Sequence, residues 1–242
     1  MIKIIYRACD IVNSLHTALD GNKNPRPNGI PKKDVIKICA KSVADSLKNI
    51  DHEFHIVGDR VSNETWDFLL DLFKPKYSFN SKEPLHDSGS LLKCSEIAMS
   101  FEDDDFIYFL EDDYLHDASS FNRLFSFLEE SRNFDFDFFI HPTDYPDRYK
   151  NLIRSYIIQT KGGYWREVDG STHTLMCYKK TYKKYVDFFR ECHQEDGNDG
   201  KMSSIFMKEA LCFSPLPGIA SHFHKGAFSN YINWESIYLK YV

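Results

Sequence analysis

The chain has 242 residues, a formal net charge of −6 and 27% charged residues. That length fits one α/β domain with a substantial core. The acidic balance argues against a broad nucleic-acid footprint, though not against a local basic groove. The cysteines Cys9, Cys39, Cys94, Cys177, Cys192 and Cys212 include no C-x-x-C pair. They read as small buried hydrophobes of a reducing compartment. No apolar stretch is long enough for a bilayer and the N-terminus lacks a signal-peptide core, so the expected location is cytoplasmic.

Ile2 to Tyr6 is predicted as a first strand, ending in Arg7-Ala8-Cys9-Asp10. The polar, turn-rich stretch through Asn22-Lys-Asn-Pro-Arg-Pro-Asn-Gly29 is expected to be a long loop, either a lid or disordered. Asp34 can cap a helix whose apolar face is Val35, Cys39, Val43 and Leu47. Glu53 to Val57 reads as a second strand, closed by Gly58-Asp59-Arg60, and residues 63–73 as a helix with Trp66, Leu69, Leu70 and Phe73 inward. Tyr77 to Phe79 is a short third strand. Asp87-Ser-Gly-Ser90 opens a helix with Leu91, Cys94, Ala98 and Phe101 on one side. Phe106 to Leu110 is a continuous apolar run, as expected of a strand buried on both faces. Ser119 or Ser120 caps the next helix, with Phe121, Leu124, Phe125 and Leu128 inward. This alternation predicts a parallel sheet with helices on both faces.

The second half is less regular. Phe136 to Ile140, Leu152 to Thr160 and Thr172 to Tyr178 are predicted strands, the last two in a mixed or antiparallel portion. Tyr182, Tyr185, Val186 and Phe189 line a helix; the Gly-rich loop 194–200 precedes another helix, Met202 to Leu211. Pro215 to Phe223 is a strand or extended segment, and the tail 230–234 shows no strong helical period.

Chemistry concentrates at the end of the Phe106–Leu110 run, where Glu111, Asp112 and Asp113 follow one another. Adjacent acids repel unless a cation or proton offsets them. The carboxyl end of a strand is where open α/β sheets bind ligands, and oxygen ligands suit Mg²⁺ or Mn²⁺. His222 and His224, two apart in an extended segment, are candidate nitrogen ligands or simply hydrogen-bonded loop histidines; Lys225 is a candidate phosphate contact or a solvated charge. Arg7 and Asp59 end the first two strands at the same edge; Arg7 suits a diphosphate, and Asp59 either a base or a turn. Ser90, at a helix start, suits a phosphate, a ribose or an ordinary cap. Glu195, Asp196 and Asp199 are candidate general bases or a solvated turn. No P-loop, dinucleotide fingerprint or nucleophile elbow is present.

These residues together resemble a GT-A-fold, nucleotide-sugar-dependent glycosyltransferase, family-2-like. The resemblance is carried by Tyr108-Phe-Leu-Glu-Asp-Asp-Tyr-Leu-His116, the preceding Gly89-Ser-Leu-Leu helix, His141-Pro-Thr-Asp-Tyr-Pro-Asp-Arg-Tyr149 and Pro217-Gly-Ile-Ala-Ser-His222, and it spans nearly the whole chain. It implies a single α/β domain over residues 1–242 with a Rossmann-type mixed sheet flanked by helices. The nucleotide-binding half runs to about residue 115 and the acceptor half from about 116. It further implies Asp113 as direct metal ligand and His222 as the late ligand, with His224 in reserve. Arg7, Ala8, Asp59, Ser90, Glu111, Asp112 and Lys225 would contact the nucleotide sugar. The catalytic base would be Asp196, favoured narrowly over Glu195 and Asp199. The implied cofactor is Mn²⁺ or Mg²⁺ and the commonest donor a UDP-sugar. The reaction would be hexosyl or pentosyl transfer, with inversion, to a glycan or a modified DNA base. The motif departs from the common D-x-D in having Glu first.

Tyr145, Tyr149, Tyr164, Trp165 and Trp234 are candidates for stacking on an acceptor, and Lys179-Lys180 and Lys183-Lys184 are the one hint of nucleic acid. Rival expectations are a metal-dependent phosphohydrolase or nuclease, which clustered acids and histidines also build, and a non-catalytic nucleotide-sugar-binding module.

Overall fold

An apolar run such as Phe106–Leu110 needs cover on both faces. The computed structural model, which describes residues 1–11, 26–150, 152, 154–195, 199–206, 209–224, 226–229 and 231–242, places it mid-sheet. The parallel half consists of β1 (Ile2–Ala8), β2 (His52–Asp59), β3 (Tyr77–Ser81) and β4 (Phe106–Glu111). Helices α1 (Lys32–Ser46), α2 (Asn63–Phe73) and α3 (His86–Met99) make the crossovers. The rest adds β5 (Tyr114–His116), α4 (Ser120–Ser131), β6 (Phe138–Ile140), β7 (Ile157–Thr160), β8 (Gly163–Glu167) and β9 (Leu175–Tyr178). Then come α5 (Lys179–Lys184), α6 (Val186–Gln194), α7 (Asp199–Phe206), β10 (Leu211–Leu216), β11 (Ala220–His222) and α8 (Trp234–Tyr238). The large sheet runs β3-β2-β1-β4-β9-β6-β10-β8-β7, and β11 pairs antiparallel with β5 in a separate ribbon.

The period-two alternation of a strand assigns its side chains to the two layers. Ile4 and Tyr6 of β1 and Tyr108 and Leu110 of β4 pack on Ile36, Ala40 and Val43 of α1, Leu69 of α2, and Phe121, Leu124 and Phe127 of α4. Ile5 and Ile107 face the opposite layer, with Cys94 and Ala98 of α3, Phe189 and Cys192 of α6, and Met202 and Ile205 of α7. Each fully buried Ile, Leu, Val, Phe or Met side chain among them contributes about 1.5–3 kcal/mol. The five cysteines other than Cys9 are buried and all six are free thiols. No helix among the described residues is long and apolar enough to cross a membrane.

Several expectations need correction. Asp34 lies inside the first turn of α1, because the helix starts at Lys32 after Pro31. Ser119 flanks α4, but its hydroxyl donates to Asp117 instead of capping the helix. Helix α7 spans Asp199–Phe206, earlier than Met202–Leu211, because Leu211 begins β10. The predicted strands 152–160 and 172–178 shrink to Ile157–Thr160 and Leu175–Tyr178, and β8 was not expected. In the tail, α8 has Asn233 as its N-cap, the side chain accepting from Ser236 N at 2.9 Å; five residues are too few to express a period. Most of the expected long loop, residues 12–25, lies outside the described residues.

Candidate active site

Because β1 and β4 are parallel neighbours with Arg7 opposite Glu111, the two side chains meet where the strands end. Arg7 forms an ion pair with Glu111 through Nη2, donates through Nη1 to Asp87 Oδ1 at 2.7 Å, and reaches Ser90 Oγ at 3.3 Å. Asp87 and Ser90 are there because α3 starts at this edge. Glu111 Oε2 also accepts from the Thr174 hydroxyl at 3.1 Å. Burial opposes the charge on Arg7, but Glu111 and Asp87 outweigh it and raise the guanidinium pKa. Ala8, at the end of β1, is buried in the apolar core with Ile4 and Tyr6.

Asp59, at the end of β2, has a different task. Its two oxygens accept the backbone N–H groups of Leu85 and His86, each at 3.1 Å, so it holds the start of α3 in position.

Asp112 and Asp113 turn toward α1. Asp112 accepts from Cys9 N at 2.7 Å and from Lys32 Nζ at 2.5 Å. Lys32 Nζ lies 2.8 Å from Asp113 Oδ2, while the other oxygen of Asp113 is 3.4 Å from His222 Nε2. That last contact depends on the β5–β11 ribbon, which sets His222 opposite Tyr114. The two rings stack with centroids 5.2 Å apart, and Phe223 N donates to Asp113 O at 2.7 Å. Burial works against ionised Asp113, but Lys32 and His222 hold its carboxyl well below the usual range. Burial likewise opposes charge on His222, and Asp113 outweighs it, raising the imidazole pKa. The His224 ring lies 5.5 Å from that of His222.

Asp199, the first residue of α7, pairs with His173 Nε2 at 3.3 Å. Burial raises its carboxyl pKa; the charge of His173 lowers it and that of Glu111 raises it, so the two acids sense each other's charge. Glu195, beyond the end of α6, is engaged by Lys201 at 2.8 Å on the surface. Asp196 and Lys225 lie outside the described residues.

The structure thus joins Arg7, Ser90 and Glu111 in one cluster and Asp112, Asp113 and His222 in another, while Asp199 contacts His173. Sequence reasoning missed Lys32, Thr174 and His173. Only Lys32 left a signal, a cation in a first helical turn, where the helix dipole disfavours it. Two stacking candidates are withdrawn: Trp165 and Trp234 are 0% and 2% exposed, occupied as core. Of the lysine pairs, Lys179 and Lys183 contact Asp103, Lys180 lies 3.8 Å from Asp104 and Lys184 contacts Asp137, and all but Lys179 remain more than half exposed.

Among the described residues, no three His, Cys, Asp or Glu side chains are grouped to hold a metal ion by themselves. Asp113 Oδ1 and His222 Nε2, 3.4 Å apart, are spaced as two donors that could share one ion. Such a pair fits Mg²⁺ or Mn²⁺, which take their remaining ligands from water and phosphate.

No protein-family model and no curated protein matches the chain. Solved structures do. TarS of S. aureus superposes with a TM-score of 0.52 at 11% identity, over 88% of this chain and 36% of that one. A structure of TarS residues 1–349 gives 0.52 at 12% identity, over 88% and 60%. The chain therefore spans about a third of the TarS chain and less than two thirds of the shorter one. A Bacillus anthracis protein described as a glucose-1-phosphate thymidylyltransferase, in complex with sucrose, gives 0.50 at 14% identity over 99% and 95%. The galactosyltransferase LgtC, in complex with donor and acceptor sugar analogs, gives 0.47 at 11% identity over 99% and 96%, too distant to argue from. The fold is a mixed α/β, GT-A-like one.

Proposed function

We propose that this chain is a nucleotide-sugar-dependent glycosyltransferase. The observation that carries the reading is the cluster of charged side chains at the carboxyl ends of β1 and β4. Arg7, Ser90 and the Glu111–Asp113 acids come there from the parallel half, His222 meets Asp113 from the other half, and Asp199 is near enough for its charge to be felt by this cluster. The fold likeness supports it at the level of architecture.

Arg7 and the start of α3 would hold the donor diphosphate, the guanidinium exchanging part of its contact with Asp87 for phosphate oxygens. Glu111 and Asp112 would orient Arg7 and Lys32 and offer acceptors to the ribose. Asp113 and His222 would hold a divalent ion, Mn²⁺ or Mg²⁺. Bound there, such an ion supplies Lewis-acid neutralisation of the leaving diphosphate.

Asp199 is the base we assign. Its raised pKa suits a group that must take a proton, and His173 holds it in place. An acceptor hydroxyl gives its proton to Asp199 while its oxygen bonds to the anomeric carbon. The carbon–oxygen bond to the diphosphate breaks and the nucleoside diphosphate leaves with the electron pair. Attack opposite the leaving group inverts the anomeric configuration. We assign UDP as the carrier, a hexose or pentose as the sugar, and a glycan as the acceptor in preference to a modified nucleobase. The last choice follows from the net charge of −6 and from the pairing of the lysines with acids.

The test is thermal unfolding with UDP, GDP, CDP, ADP and dTDP, each with and without Mn²⁺, followed by donor turnover with the nucleotide that binds. A metal-dependent rise with one nucleotide is expected, because a ligand bound only by the native state raises the midpoint. No shift with any nucleotide, together with hydrolysis of a generic phosphodiester, would replace this reading with a phosphohydrolase.

A further inference from the structure

Lys32 stands where helix and burial both disfavour a cation. It is the first residue of α1, the positive end of the helix dipole, and its side chain is only 12% exposed. Its ammonium nevertheless bridges the two acids that follow β4, 2.5 Å from Asp112 Oδ1 and 2.8 Å from Asp113 Oδ2. Asp112 is otherwise engaged by Cys9 N. Asp113 is the shared group, with one oxygen toward Lys32 and the other toward His222. The charge that the acid run requires is therefore already supplied from within the chain.

We propose that Lys32 is a resident counter-ion that competes with the divalent ion for Asp113, so that loading the site requires the ammonium to leave. The inference rests on the reading of Asp113 and His222 as metal ligands given above. A single internal positive charge keeps the acid pair folded and buried before donor arrives. A divalent ion brings a second charge that Asp113 alone would attract more strongly if Lys32 were not already there. Metal binding by the free protein is weak for this reason, and it strengthens when a nucleoside diphosphate supplies further oxygen ligands.

The probe is Mn²⁺ itself, followed by loss of the free-ion electron paramagnetic resonance signal on titration into the whole chain without nucleotide. Lys32→Met keeps length and removes charge, and should bind Mn²⁺ about tenfold more tightly than the wild type. Lys32→Arg should stay weak, and Asp113→Asn added to Lys32→Met should abolish the gain. Equal or weaker binding by Lys32→Met overturns the counter-ion. Absence of Mn²⁺ binding by both wild type and Lys32→Met, with and without UDP, overturns the metal-ligand reading itself. If Lys32→Met is unstable without metal, thermal midpoints decide. A larger rise on Mn²⁺ addition than in the wild type supports the proposal, and an equal rise refutes it.

Discussion

Replacing His116 by glutamine should flatten the acid dependence of stability. His116 is fully buried in β5. Its Nδ1 is 3.1 Å from Tyr114 O, a carbonyl that can only accept, so the proton sits on Nδ1. Nε2 then accepts from the Tyr108 hydroxyl at 2.8 Å, and the ring stacks on Phe121. A second proton on Nε2 would require that hydroxyl to turn and accept, and would bury a positive charge. Burial pushes the imidazole from 6.5 down to about 4, with the Tyr114 carbonyl and Asp117 opposing weakly. The unfolded chain takes up a proton near pH 6.5 and the folded one does not until near 4. Between those values the unfolded state binds more protons, and stability is lost as pH falls. From pH 7 to pH 5 His116 alone should remove about 2 kcal/mol. Glutamine can accept from Tyr108 and does not titrate in this range. Urea unfolding of both proteins at both pH values isolates the effect. His141 and His193, each held at about 3 by burial, act with the same sign in both proteins and cancel in the comparison. The expected result is a smaller acid loss in His116→Gln by about 2 kcal/mol, at matched m-values. Equal losses would refute the assignment of a neutral, Nδ1-protonated His116.

Asp199→Asn should lower transfer about 10²–10⁴-fold while donor-dependent thermal shifts persist; retained turnover would remove Asp199 as the base. Because burial raises that carboxyl ahead of the opposing pull of His173, and the base works ionised, kcat/KM of the wild type should fall as pH falls along a limb lying above the usual carboxylate range, absent from the residual activity of the variant. Arg7→Met should abolish the nucleotide-dependent shift. It should also cost about 1–3 kcal/mol in urea unfolding, less than a fully buried pair, because Glu111 is 24% exposed. Gly58→Ala should destabilise by about 1–3 kcal/mol, since its Cβ would lie 2.6 Å from Asn80 Oδ1 and 2.9 Å from a Trp66 ring carbon. Asn80 is held by both its amide bonds to Val61, at 3.0 and 2.8 Å, so it has little freedom to yield.

The parallel half was legible because its signals are local and repeated. The Phe106–Leu110 run and the 63–73 helix carry their period over enough residues to be read alone, and β4 and α2 lie where they were expected. The edge at which Arg7, Ser90 and Glu111 meet follows from strand order, which the alternation of strand and helix implies. What escaped the sequence is set by register between distant segments. Three residues in β5 and three in β11 are too short to show alternation, yet their pairing brings His222 to Asp113. Lys32 escaped for a related reason: that its ammonium meets the acids depends on how α1 packs beside β4. The aromatic candidates failed where composition could not tell core from surface, as Trp165 and Trp234 show.

The ribbon of β5 and β11 also makes the candidate site a reporter of complete folding. Its two strands lie nearly half the chain apart, and a slip of one residue between them would turn His222 to the opposite side. A chain that had formed β1 to β4 but not yet recruited β11 would already own Arg7, Ser90 and Glu111, and would lack His222. Affinity for a nucleotide could thus precede competence for chemistry during folding, with β11 as the closing clasp.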